Sequence, residues 1–183
     1  MNRVYIFSDI DDELALKVIT RMRLLCTALQ EKDKDREGKV PIHVYINTGG
    51  GDLEAACAII DEIINVGKTG RDVYTICQGR AYSAGALILC AGNEVYATPN
   101  SHIMFHPVSI ELPLDRVEEQ QNYANFTTEH YNSLLKTLAR RRGKRISKFK
   151  EEISRTWYMR VAEAKRHKII DDVWDYKKWE IYN

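Results

Sequence analysis

One stretch of the sequence, residues 79–107, constrains the fold more than any other part of the chain. It reads GRAYSAGALILCAGNEVYATPNSHIMFHP and follows a strand-like run from Val73 to Cys77. Ser83 lies among small residues at its front, and the apolar run from Ala84 to Leu89 that follows is typical of a buried helix. A second apolar run at its back carries His106. The pattern predicts a serine on a strand-to-helix turn and a histidine one strand later, which are a candidate nucleophile and a candidate base.

A glycine-rich turn follows an earlier strand, which the alternating pattern predicts at Ile42 to Ile46. The turn reads NTGGGD and leads into a predicted helix from Leu53 to Val66. Free backbone amides at such a turn can hold an anion or an oxyanion. Many βα turns need glycine for structural reasons alone, so the triplet by itself is weak evidence for function. The turn is not a P-loop, because no Gly-Lys-Ser/Thr sequence follows it.

Strand-like and helix-like runs alternate along the whole chain, and this alternation predicts the fold class. Further strands are predicted at residues 3–8, 93–97, 103–106 and 169–174, and further helices at residues 14–29, 114–138, 146–154 and 161–168. Alternation of this kind predicts an α/β protein with a mainly parallel sheet and flanking helices. The 183 residues contain no internal repeat and no low-complexity linker, so we expect one domain spanning residues 1–183.

Composition excludes several classes of protein. The formal net charge of +1 argues against a nucleic-acid partner, and the basic run at residues 140–145 is interpreted as a solvated helix end rather than a phosphate-binding patch. No run approaches the roughly 18 apolar residues of a membrane span, and no signal-peptide pattern is present, which predicts a cytoplasmic protein without membrane contact. The scattered cysteines are expected to be free thiols in a reducing compartment, not zinc ligands. They are Cys26, Cys57, Cys77 and Cys90.

Four segments, taken together, resemble the proteolytic subunits of the Clp protease (ClpP) family. INTGGGDLEAACAIIDEI resembles the INSPGG turn and helix of that family, and GRAYSAGALILCAG resembles its nucleophile segment. TPNSHIMFHP resembles its base segment, and AEAKRHKIID resembles its closing segment. The four matches keep the family's order and nearly its spacing. The resemblance implies a ClpP/crotonase-like fold of repeated ββα-type units, and a serine endopeptidase that needs no cofactor and no metal.

The same resemblance implies a role for individual residues. Ser83 falls on the nucleophile, His106 on the general base, and the backbone amides of Gly51 and Ala84 on the oxyanion hole. Outside this context, a serine before an apolar helix is more often an N-cap, and a lone histidine is more often a core residue. The family register favours the catalytic interpretation, since a serine hydroxyl needs a base and the tetrahedral oxyanion needs preorganised N–H donors.

One departure from the family concerns the third member of the catalytic triad. Thr156 falls where the family has an aspartate, as aligned without gaps from Gly143. A threonine hydroxyl can accept a hydrogen bond from an imidazole, but it carries no charge to stabilise imidazolium. Glu151, Glu152 or Asp115 could supply a carboxylate instead, and the sequence leaves this choice open.

Two further departures concern assembly. The chain starts near the family's first core strand, so we expect the axial loop and first helix to be absent, and the segment 108–114 is expected to shorten the handle. The resemblance implies a homo-oligomer, a heptameric ring, that encloses a chamber where unfolded proteins or peptides are cut. A single or double ring and an AAA+ unfoldase partner stay open. The alternatives are a catalytically weak or inactive ring subunit and, less favoured, a phage head-maturation protease or an acyl-CoA enzyme.

Overall fold

A computed structural model describes residues 2–33, 39–109 and 116–176 of the chain. Its strands are β1 (Arg3–Ile6), β2 (Ile42–Thr48), β3 (Val73–Tyr82), β4 (Glu94–Ala97), β5 (His102–Phe105), β6 (Trp157–Arg160) and β7 (Asp172–Val173). Its helices are α1 (Asp12–Asp33), α2 (Leu53–Lys68), α3 (Ala84–Leu89), α4 (Val117–Arg141), α5 (Ile146–Glu152) and α6 (Val161–Arg166).

Five strands form a parallel sheet in the order β1-β2-β3-β4-β7, and two more strands, β5 and β6, branch from its middle strand β3. β5 lies parallel to β3, and β6 pairs antiparallel with β5. Strands therefore alternate with helices around a mainly parallel sheet, which confirms the predicted α/β fold class.

The central strand β3 changes partner along its ten residues. Its first half pairs with β4, from Tyr74 opposite Glu94 to Cys77 opposite Ala97. Its second half pairs instead with β5, where Arg80 lies opposite His102. The sheet forks at this point, and the carboxyl end of β3 is carried beyond β4 toward the segment that contains Ser83 and His106.

Apolar residues of α1, α2 and α3 pack on one side of the sheet and form the main core with the inward-facing residues of the strands. This side follows the period-two alternation of each strand, as in β2, where Val44 and Ile46 are fully buried. The opposite side carries a smaller cluster, which consists of Tyr45, Tyr74, Ile76, Tyr96 and Trp174. Trp174, near the end of the described residues, is thus a core residue.

Several predicted boundaries were wrong, most of them where long-range pairing decides the structure. β3 runs to Tyr82 instead of Cys77, and the last strand covers only Asp172–Val173 instead of residues 169–174. No strand was predicted at Trp157–Arg160, because β6 forms only by pairing with β5.

The basic run at residues 140–145 was only partly interpreted correctly. Arg142 is buried and donates to Asp171 Oδ1 at 2.6 Å. Lys144 is also buried, with its Nζ 2.6 Å from Glu152 Oε2. These two cations therefore hold the end of α4 against the following segments. Arg141 is partly buried, and among the basic residues of this run only Arg140 and Arg145 are exposed.

Candidate active site

Ser83 occupies the turn between β3 and α3 in a strained backbone conformation. Its φ of 53° and ψ of −123° are uncommon for a residue with a side chain, at an energetic cost of about 1–3 kcal/mol. The Ser83 amide donates to Met104 O at 2.9 Å, which fixes the turn against β5. Although Ser83 is the N-cap residue of α3, its side chain makes no capping hydrogen bond. The hydroxyl is therefore not used for helix capping.

His106 follows β5 directly and meets the Ser83 hydroxyl. The distance from His106 Nε2 to Ser83 Oγ is 2.7 Å, and His106 Nδ1 lies 2.6 Å from Pro107 O. Because a carbonyl oxygen can only accept, this second contact assigns the proton of a neutral imidazole to Nδ1. Nε2 then carries the lone pair and accepts the hydrogen bond from the serine hydroxyl.

The glycine-rich turn after β2 brings a free amide beside this pair. Ile10 donates to Gly50 O at 2.9 Å and accepts from Asp52 N at 2.8 Å, so the intervening Gly51 turns its own amide away from Ile10. Within the described part of the chain, no backbone hydrogen bond occupies the amide of Gly51 or that of Ala84. Both residues line the same cavity as Ser83. Two unsatisfied N–H donors beside a hydroxyl are what an oxyanion hole requires.

Gly50 and Gly51 are required by close packing as well as by their backbone conformation. Their φ angles are +111° and +142°. A Cβ on Gly50 would lie 2.7 Å from Ser83 Cβ, and one on Gly51 would lie 2.3 Å from Ile10 O. Thr48 holds this turn, since its Oγ1 accepts from Gly50 N at 3.1 Å. Gly50 therefore lets the turn lie directly on the serine, and Gly51 lets it lie against Ile10.

None of the described candidates for a third catalytic residue makes a hydrogen bond to His106. Thr156 is exposed and immediately precedes β6; continuing the β5–β6 register by one residue beyond Phe105 and Trp157 puts Thr156 opposite His106. Glu152 contacts Lys144 and His167 instead, and Glu151 is exposed on α5. Asp115 lies outside the described residues. The neutral Pro107 carbonyl thus occupies the position at Nδ1 that a carboxylate holds in a complete triad.

A cavity of about 530 Å³ opens beside the serine and the histidine. Leu87 and Phe105 form an apolar part of its wall, and Tyr123, Thr127 and Tyr131 of α4 form another part. Burial raises the pKa of Tyr131 to about 12, so its phenol stays protonated at neutral pH. The cavity therefore combines apolar walls with uncharged hydroxyl groups.

Comparison with known proteins assigns the chain to a family. The family model of the Clp protease matches residues 1–177. The chain belongs to the Clp protease family. It is also 33% identical over 176 residues to ATP-dependent Clp protease proteolytic subunit 1 of Bacillus cereus, a match that covers 93% of this chain and 83% of that protein. The resemblance predicted from the four sequence motifs is thus confirmed, and membership of the family makes this Clp protease chain a peptidase of the Clp type.

Some residues of this Clp protease site were not found from the sequence. Thr48 and Pro107 were missed because their roles depend on a hydroxyl-to-backbone bond and on a backbone carbonyl, neither of which has a sequence signature. The three cavity-lining residues of α4 do have a sequence signature, because residues 123, 127 and 131 recur every four positions along one helix face. Nothing near them indicated that this face lines the cavity beside Ser83.

Among residues 2–33, 39–109 and 116–176, no group of three or more His, Cys, Asp or Glu side chains is placed to hold a metal ion. In the same part of the chain, no helix has the length and apolar character needed to span a membrane.

Proposed function

We propose that this chain is a serine endopeptidase in which Ser83 is the nucleophile and His106 is the general base. The observation that carries the proposal is the 2.7 Å contact between His106 Nε2 and a Ser83 hydroxyl that caps no helix. A base within hydrogen-bond reach of a serine is the arrangement that nucleophilic catalysis needs.

In the first step, Ser83 Oγ attacks the carbonyl carbon of the peptide bond and its proton passes to His106 Nε2. The negative charge that develops on the carbonyl oxygen is stabilised by the amides of Gly51 and Ala84. Donors of this kind are worth about 10²–10³ in rate each, because they are already oriented before charge develops.

In the second step, the imidazolium gives its proton to the leaving amine and an acyl-enzyme remains. Water then enters, His106 takes a proton from it, and the resulting hydroxide displaces Ser83 Oγ from the acyl carbon. The proton returns to Oγ, and the free enzyme is regenerated.

The imidazolium is stabilised weakly in this scheme. Pro107 O accepts from Nδ1 and orients the ring, but a neutral carbonyl provides less stabilisation of a positive charge than a carboxylate does. We propose that Thr156, at the family's aspartate position, provides at most a hydroxyl beside the imidazole. In serine proteases, loss of the charge on the triad aspartate can lower kcat by about 10⁴, so we expect slow turnover.

The proposal also includes an oligomeric assembly, which is inferred from membership of the family. We infer a homo-oligomeric ring, heptameric by resemblance, in which unfolded proteins or peptides reach Ser83 inside a chamber. The relative from Bacillus cereus is named as the proteolytic subunit of an ATP-dependent protease, which supports an ATPase unfoldase as a partner here.

The test compares wild type, Ser83→Ala and His106→Ala in hydrolysis of fluorogenic peptides and unfolded casein. Ser133→Ala and His130→Ala, at positions of α4 that are not among the residues lining the cavity, are the matched controls. A fluorophosphonate probe reports on the serine independently of turnover. We expect labelling and hydrolysis in wild type and both controls, and loss of labelling in Ser83→Ala.

An assembled wild-type oligomer that neither hydrolyses peptides nor reacts with the probe would contradict the proposal. A ring subunit without catalytic activity of its own would then be the better interpretation.

A further inference from the structure

A second cavity lies between the end of α4, helix α5 and the end of α6. Its volume is about 530 Å³, and it shares no lining residue with the cavity beside Ser83. Among the residues that the structure describes, its lining contains one carboxylate, that of Glu152, and five lysine or arginine side chains. The basic residues are Lys144, Arg145, Lys148, Arg166 and Lys168. The whole chain has a formal net charge of only +1, so positive charge is concentrated in this basic cavity.

The single carboxylate of the basic cavity is already engaged. Glu152 Oε2 lies 2.6 Å from Lys144 Nζ, and Glu152 Oε1 lies 3.0 Å from His167 Nδ1. The side chains of Lys144 and Glu152 are only 6% and 11% exposed, so this pair is part of the inner wall. Glu152 therefore balances the charge of Lys144, and the described wall holds no counterion for the other four cations.

These four cations are exposed and come from two separate segments of the chain. Arg145 immediately precedes α5, and Lys148 lies in its first turn. Arg166 is the last residue of α6, and Lys168 follows two positions later. Within the described part of the chain, none of the four makes an ion pair. Their mutual repulsion is unfavourable, and a multivalent anion bound among them would remove it.

The helix dipoles explain only part of this arrangement. Cations are favourable at the carboxyl end of a helix, which accounts for Arg166 and Lys168 at the end of α6. They are unfavourable at the amino end, yet Arg145 and Lys148 lie at the amino end of α5, whose first turn contains no acidic residue. The local structure of α5 therefore does not account for its two cations in the cavity.

Lys168 also has a backbone conformation that favours glycine. Its φ is 58°, and it follows α6 in a turn where Ile169 N donates to Ala164 O at 2.8 Å. The corresponding position after α4, which also lines the basic cavity, is Gly143, with a φ of 60°. Glycine is the usual residue at such a helix end, because a side chain there is strained. The chain thus has a strained lysine at a position where glycine would be more stable.

We propose that the basic cavity is a binding site for a small molecule that carries two or more phosphate groups. A guanidinium group binds two phosphate oxygens at once, and an ammonium group donates to phosphate as a point charge. Two or three linked phosphates carry enough charge to pair with four cations that come from two segments. The volume is typical of a small-molecule site. This site does not depend on the function proposed for Ser83.

The experiment titrates the full-length protein with sodium tripolyphosphate in a calorimeter, at low salt and again at high salt. We expect saturable binding with one site per chain, which weakens as salt increases because the contacts are exposed ion pairs. Inorganic phosphate should bind more weakly, since it contacts fewer cations. Citrate, at equal charge and ionic strength, is the control ligand, because its carboxylates test whether any multivalent anion is sufficient.

Two variants locate the site. Lys148→Gln combined with Arg166→Gln should weaken tripolyphosphate binding by about 10-fold or more. Arg140→Gln combined with Lys150→Gln is the matched control, because it removes the same charge from exposed positions that do not line the cavity and should keep the wild-type affinity. Lys168→Gly relieves the strained backbone, so it should unfold at a temperature no lower than wild type and still bind tripolyphosphate about 3- to 10-fold more weakly.

A comparison of pyrophosphate with ADP distinguishes the source of the phosphates. Equal affinities would indicate a free phosphate chain, and an affinity about 10-fold higher for ADP would indicate a nucleotide; both outcomes support the site. No saturable binding of tripolyphosphate would overturn the proposal. An equal loss of affinity in both double variants, or citrate binding as tightly as tripolyphosphate, would also overturn it. Peptide hydrolysis is not measured here, so none of these outcomes bears on the role of Ser83.

Discussion

Replacing Thr156 by aspartate should increase the activity of the proposed dyad. The β5–β6 register, continued by one residue, puts position 156 opposite His106. Directly opposed residues of an antiparallel pair have Cβ atoms about 4.5–5.5 Å apart, so a carboxylate there can reach the imidazole. Such a carboxylate would stabilise the imidazolium that would form in the proposed attack by Ser83.

The magnitude follows from distance and exposure. Two opposite charges about 4 Å apart near a protein surface attract by about 4 kcal/mol. Position 156 is exposed, so solvent reduces the net gain toward the values of exposed ion pairs, and we take about 1–2 kcal/mol. This gain corresponds to a rate increase of about 5- to 30-fold.

The assay measures kcat/KM with a fluorogenic peptide and the rate of fluorophosphonate labelling of Ser83. Thr156→Asn is the matched control, because asparagine has the shape of aspartate without its charge. An equal increase in both variants, or none in Thr156→Asp, would refute the argument that the dyad lacks a charged third member at this position.

Three further predictions concern the turn, the ion pairs and the thiols. Gly50→Ala should lower kcat/KM by about 100-fold or more, since its Cβ would lie 2.7 Å from Ser83 Cβ; near-normal peptide hydrolysis would contradict this. Burial raises the pKa of Glu152, but its two basic partners lower it more, to below 4.5. Its ion pairs therefore stabilise the fold above pH 4.5 and are lost as pH falls through the lowered pKa. In urea unfolding at pH 7, the free energy of unfolding of Glu152→Gln should be about 3 kcal/mol lower than that of wild type, and the difference should be smaller at pH 3.5. The peptidase rate should not change. Burial also raises the pKa of Cys77 to about 12 and of Cys90 to about 11, so iodoacetamide at pH 8 should modify them only after denaturation, as mass spectrometry can check.

The parts of the site that the sequence predicted are those with a local signal. The small apolar run after Ser83 indicates a buried helix, and the structure has α3 at Ala84–Leu89. The glycine triplet after β2 indicates a turn of close approach, and Gly50 packs on the serine. In both cases, the residues that determine the local structure are adjacent in the chain, so the sequence pattern alone predicts it.

The parts that were missed depend on partners that the local sequence pattern does not indicate. β6 exists because residues 157–160 pair with β5, more than fifty positions earlier. Lys144 and Arg142 are buried because Glu152 and Asp171 meet them, which a basic run by itself does not indicate. The partner of His106 Nδ1 is a backbone carbonyl, and every residue has one.

The forked pairing of β3 has a consequence for how the protein gains its activity. Ser83 is held by β3 and by the turn after β2, whereas His106 extends from β5, which lies between the end of β3 and β6. β6 pairs with the open edge of β5, so the fork is complete only after a segment near residue 160 has been synthesised and has paired. We expect a nascent chain that contains Ser83 and His106 but ends before β6 to hold His106 less firmly, and during refolding peptidase activity should return later than helix and strand content.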